Sequence, residues 1–83
     1  MAAGDGDRAD QLFRQASALF RELAMPFPMA VTLLEHGSWL AGTGAHAEAA
    51  PLLEAAAEVF ASLEARPWLD RLERVPGWAT LSA

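Results

Sequence analysis

The chain has 83 residues, of which 53% are hydrophobic, so it has room for one domain and much apolar surface to hide. Six arginines, no lysine and eleven carboxylates leave a net charge of −5, which lacks the basic footprint of a nucleic-acid binder. The absence of cysteine excludes disulfides, thiolate metal sites and a thiol nucleophile, and fits a cytoplasmic location.

Residues 1–6, "MAAGDG", read as a disordered lead-in with no secretory h-region. Asp5 and Asp7 then precede an amphipathic helix over about 7–24. Its apolar positions Leu12, Phe13, Ala16, Leu19, Phe20 and Leu23 follow helical spacing. "MPFP" ends it, and Pro28 is placed to open the second helix. That helix carries a stripe of Ala30, Leu33, Leu34, Gly37, Leu40 and Ala41, and "GTG" at 42–44 stops it.

The third helix is expected over about 46–65, with Leu52, Leu53, Ala56, Val59, Phe60 and Leu63 on one face. Pro51 interrupts it. A start near His46 puts Pro51 just past the first turn and removes one backbone bond, whereas a start near Ala50 puts it harmlessly at the first helical position. A short fourth helix starts at Pro67 with Trp68, Leu69, Leu72 and Val75, and Pro76-Gly77 leaves a tail over 76–83. No strand-period alternation persists and no run is long enough to span a membrane. The expected fold is therefore all-α, with its domain over 7–75.

The pattern repeats. Forty residues on, Gly4 meets Gly44, Ala9 meets Ala49, Phe13 meets Leu53, and Ala16 meets Ala56. Leu19 then meets Val59, Phe20 meets Phe60, and Leu23 meets Leu63. "LAMPF" parallels "LEARPW" with one residue added. A period of this length marks stacked helix pairs. Gly37, Leu40, Gly44, Ala49, Leu53 and Ala56 stand at the spacing of the tetratricopeptide consensus. The stretch over about 7–75 resembles that family, and most closely its variants in bacterial ATP-dependent transcription regulators and cyclase-linked signalling proteins. His36 and Leu40 depart from the usual consensus residues, and a third repeat is absent. The resemblance implies a short stack of antiparallel helix hairpins that binds other proteins. It also implies that the first helix of each pair lines a groove.

Catalytic chemistry finds little to stand on. Two histidines, His36 and His46, cannot make a zinc site alone, and they read as a helix-surface residue and a helix-start residue. Ser38 and His36 are two apart and point to different helix faces. "GDGD" is too short for a calcium loop, and "GTG" lacks the lysine of a phosphate loop. No metal or cofactor is expected.

Thr32, Glu35, His36 and Trp39 form a candidate groove stripe on the second helix, with Trp39 as its anchor. The plainer reading packs Trp39 against a neighbouring helix. Arg66, Trp68, Arg71 and Arg74 make a second candidate contact patch, more simply an arginine face around a core tryptophan. Open helix faces at both ends predict a homodimer burying Phe13, Phe20, Trp68 or Trp78. The expected role is a non-catalytic, self-associating interaction module. The alternatives are a fragment of a larger multi-repeat regulator and, behind it, a small helical ligand-binding protein or enzyme. Neither nucleic acid nor membrane is an expected partner.

Overall fold

The computed structural model describes residues 2–75 and 78, the first six of these by backbone alone. It is all-α, with helices α1 (Ala2–Glu22), α2 (Pro26–Gly42), α3 (His46–Ser62) and α4 (Arg66–Glu73). No described helix is long and apolar enough to cross a membrane. Helix α1 starts at Ala2, so the expected lead-in forms its first turns. Its backbone is helical there in spite of Gly4 and Gly6, which oppose helix. Helix α2 takes both Pro26 and Pro28 into its first turn, where a missing N–H costs nothing.

The three turns between helices share one construction. The Met25 N–H donates to the Phe20 carbonyl, the Ala45 N–H to Leu40, and the Ala65 N–H to Phe60, at 2.9, 2.9 and 2.8 Å. The residue before each donor sits at positive φ: Ala24 at 56°, Gly44 at 91° and Glu64 at 55°. This is the Schellman helix stop, and it satisfies carbonyls that the helix ends leave free. Only the middle one uses the glycine the conformation favours. The stops recur every twenty residues, so the repeat of a helix pair is forty residues in the folded chain too. The residue added in "LEARPW" is absorbed at the start of α4, where Arg66 precedes Pro67.

Pro51 lies inside α3, as the sixth residue of a helix that starts at His46. Its missing N–H would have bonded the Ala47 carbonyl. Both residues are exposed, so water can take the vacant place. The backbone bond is lost, as the first of the two sequence alternatives requires.

The core sits between α2 and α3. Ala30, Leu33, Leu34, Leu40 and Ala41 of α2 meet Ala49, Leu53, Ala56 and Phe60 of α3, and Leu72 and Val75 close one side. The predicted α2 stripe is buried at every position. Gly37 explains the close approach. A Cβ there would stand 2.6 Å from Leu53 Cδ2 and 2.7 Å from its Cγ. Gly37→Ala should gain about 1 kcal/mol in helix propensity but overlap a wholly buried leucine, at about 1–3 kcal/mol. The net expectation is a loss of about 1 kcal/mol. Urea unfolding checks it, and a midpoint that holds or rises would mean that Leu53 can turn away.

Helix α1 packs on α2, and α4 packs on α3. The predicted α1 stripe therefore splits. Phe13, Ala16 and Phe20 are half-buried, whereas Leu12, Leu19 and Leu23 are exposed. On α3, Leu63 is exposed and Leu52 and Val59 are half-buried. The physical reason is position. Helix α3 lies between two helices, while α1 has α2 on one side and none of the described helices on the other.

Candidate functional site

Side chains converge where α1 crosses α2. Asp10, Phe13 and Arg14 stand at i, i+3 and i+4 on α1, and His36 and Trp39 at i and i+3 on α2, so each set shares one helix face. The Asp10 carboxylate bridges the two helices. Its Oδ1 lies 2.6 Å from His36 Nε2, and its Oδ2 accepts from Arg14 Nε at 2.6 Å. Phe13 stacks on the His36 ring, with centroids 5.0 Å apart and planes 15° from parallel. The Trp39 ring stands 6.1 Å from that of Phe13.

His36 corrects its sequence reading. It is not a surface residue but is 98% buried, as the 2% exposure shows. An isolated polar ring would be costly there, and the Asp10 contact is what makes the burial tolerable. The hydrogen bond from Arg14, then that from His36, holds the Asp10 carboxyl below its ordinary value of 3.8. The same carboxylate raises the Arg14 guanidinium.

The sign of the pH effect follows. A carboxyl lowered by folding stabilises the fold fully above pH 3.8, and that contribution is lost as pH falls through the lower folded value. We expect the melting midpoint of the parent to drop between pH 5 and pH 3 by more than that of Asp10→Asn. Parallel pH profiles for the two proteins would refute the role of this carboxylate.

Beside this contact lies a cleft of about 430 Å³. Leu33, His36 and Leu40 of α2 form its floor, with Arg14 and Arg21 on the α1 wall and Glu48 on the α3 wall. Ser17 also lines it, but its hydroxyl donates to the Arg14 carbonyl at 3.1 Å. No described serine oxygen bonds His36, so Asp10 and His36 stand without the nucleophile that a hydrolytic triad needs. Among the described residues no three His, Cys, Asp or Glu side chains group as metal ligands. His46 is the exposed first residue of α3.

The predicted groove stripe does not act as one surface. His36 and Trp39 turn to α1. The Thr32 hydroxyl donates to the Pro28 carbonyl of its own helix at 3.0 Å, and Glu35 is exposed. The groove that does form runs between α1 and α3 over α2. Asp10 was missed in the sequence, because its spacing to Phe13 and Arg14 shows a shared helix face but not the histidine of another helix that it meets.

The predicted interface residues are mostly engaged within the chain. Trp68 stacks on Phe60 at 5.6 Å, meets Phe27 edge-on at 5.5 Å, and carries the Arg71 guanidinium 4.8 Å above its ring. Arg71 thus belongs to this intramolecular cluster. Trp78 is half-buried against its own core, and its N–H donates to the Val75 carbonyl at 3.0 Å. The rest of the predicted tail lies outside the described residues. Phe13 is on His36. Phe20, half-buried like the others, lines an apolar cleft of about 220 Å³ with Met25 and Met29. The large exposed apolar side chains are instead Leu12, Leu19 and Leu23 of α1, then Met25, Phe27 and Leu63. Comparisons with protein-family models, with curated proteins and with solved structures found no match.

Proposed function

We propose that this chain is a non-catalytic helical interaction module and that it associates with itself. The observation that carries the reading is the outer face of α1 and of the turn that ends it, where Leu12, Leu19 and Leu23 are each more than half exposed. Their repeat counterparts Leu52 and Val59 in α3 are half-buried. Three leucines in helical register on one open face form a patch of the kind that marks protein contacts. The forty-residue recurrence and the three matching helix stops support a tetratricopeptide-like stack, in which each helix pair covers the open side of the one before.

A second reading has the same observation behind it. In a longer array a preceding helix pair would occupy the outer face of α1, and the chain would be a piece of a larger multi-repeat regulator. Sedimentation of the 83-residue chain at micromolar concentration separates the two. The self-association reading expects a discrete dimer with a cooperative melt. A monomer that stays folded at high concentration would overturn it, and a poorly cooperative monomer would favour the larger regulator. The net charge of −5 argues against direct binding to duplex DNA, since few cations are present to displace phosphate counterions.

A further inference from the structure

Resting on that reading, we infer that the second copy docks through α1 itself, with the two α1 helices antiparallel about a twofold axis. Two arrangements compete. In the first, copies stack head to tail, with the α4 end of one on the α1 end of the next. That needs a second apolar face at the far end. Among the described residues of α3 and α4 no large hydrophobic is exposed, and Leu63 is the one exposed in the turn between them. The apolar side chains left in water are concentrated at the α1 end, where Met25 follows Leu23 in the chain. A face that must pair and has no complement elsewhere pairs with its own copy, the isologous solution.

Orientation follows from the residues along the face. Leu12, Ala16, Leu19 and Leu23 are spaced four, three and four apart, the seam of two packed helices. Set antiparallel, Leu12 lies opposite the partner's Leu23, and Ala16 opposite the partner's Leu19. The central layers then each join a large side chain to a small one, and no layer is empty. A parallel pair in register would place Ala16 against the partner's Ala16 and leave a gap there, which well-packed interiors do not keep. Charge agrees. Arg8, Gln15 and Glu22 run along the edge of the seam at heptad spacing. Antiparallel pairing brings the Arg8 end of each helix toward the Glu22 end of its partner, whereas parallel pairing sets like charge beside like. The helix dipoles oppose in the same sense.

Area sets a further condition. A stable interface buries at least about 1,000 Å² in total, roughly 500 Å² a protomer. Three half-exposed leucines fall short of that alone. Met25, 42% exposed, lies just beyond Leu23 and extends the patch toward the partner's N-terminal half.

Sedimentation of two single variants, alone and mixed, tests the arrangement. Leu12→Glu and Leu23→Arg alter exposed side chains, so both should keep the parent's helical spectrum and melt cooperatively. Alone, each should weaken the dimer about a hundredfold, by placing an unpaired charge in the seam. Mixed in equal amounts, they should form a heterodimer within about tenfold of the parent affinity, because the new Glu meets the new Arg across the antiparallel seam. A parent that is monomeric removes both this inference and the self-association reading. A parent dimer indifferent to either variant removes α1 from the interface but leaves self-association standing. Dimers lost in each variant and not regained on mixing would overturn the antiparallel orientation.

Discussion

Phe60→Ala should lower the stability of this chain by about 4 kcal/mol. Phe60 has no solvent exposure, although it lies near the end of α3. Its ring is the centre of an aromatic group, with Trp68 stacked on it 17° from parallel and Phe27 edge-on at 6.1 Å. Those contacts join three helices, because Phe27 belongs to α2, Phe60 to α3 and Trp68 to α4. Truncation removes the buried ring, opens a cavity and dissolves two aromatic pairs that are worth about 0.5–1.5 kcal/mol each beyond their burial. A domain of this length has a total stability of about 4–12 kcal/mol. The variant is therefore expected at the edge of folding at room temperature, and α4, held chiefly by Trp68 and Leu72, should loosen first. Urea unfolding followed by tryptophan fluorescence measures both effects. A loss under about 1 kcal/mol would mean that the α3–α4 packing is not as described.

The second large effect is at Ala56. It too has no exposure, and it sits midway along the face that α3 presents to the core. Leucine there adds three carbons where the neighbouring helix leaves no room. Overpacking typically costs about 1–3 kcal/mol, and a site with no free surface should fall at the upper end. That corresponds to a midpoint lower by roughly 12–24 °C for a chain of this size. Ala16 is an internal control. It stands forty residues earlier at the same repeat position, yet it is only half-buried. In protein dilute enough to keep copies apart, Ala16→Leu should change the midpoint by a few degrees at most. Equal losses at the two positions there would show that Ala16 is covered within its own chain as fully as Ala56, contrary to the packing described.

These paired alanines separate two kinds of information. Helix periods, the stop at Gly44, the proline starts and the α2 stripe are local matters. Each depends on residues within about one turn of one another, so the order of side chains is enough to read them. The forty-residue repeat is legible for the same reason, since it compares local patterns with each other. The burial of Ala30, Leu33, Leu34, Gly37, Leu40 and Ala41 could be read because α2 carries one stripe and is flanked on both sides.

Other features had no local signature. The contact of Asp10 with His36 joins residues twenty-six apart, and nothing in either neighbourhood names the other. His36 looked like a surface histidine because its burial depends on Phe13 and Asp10 arriving from another helix. Trp78 could have pointed in either direction until the turn after Val75 folded it onto the core.

The all-α class, the forty-residue period and the helix limits to within about three residues, apart from the start of α1, were determined by the amino-acid sequence alone, since hydrogen bonds and side-chain spacing within a helix are settled by near neighbours. Which stripe is covered was decided only by the tertiary structure. Helices α1 and α3 carry nearly the same apolar pattern, but the pattern states only that a face can be buried. Burial itself requires a neighbour on that side, and among the described helices α3 has one on each flank, whereas α1 packs mainly on α2.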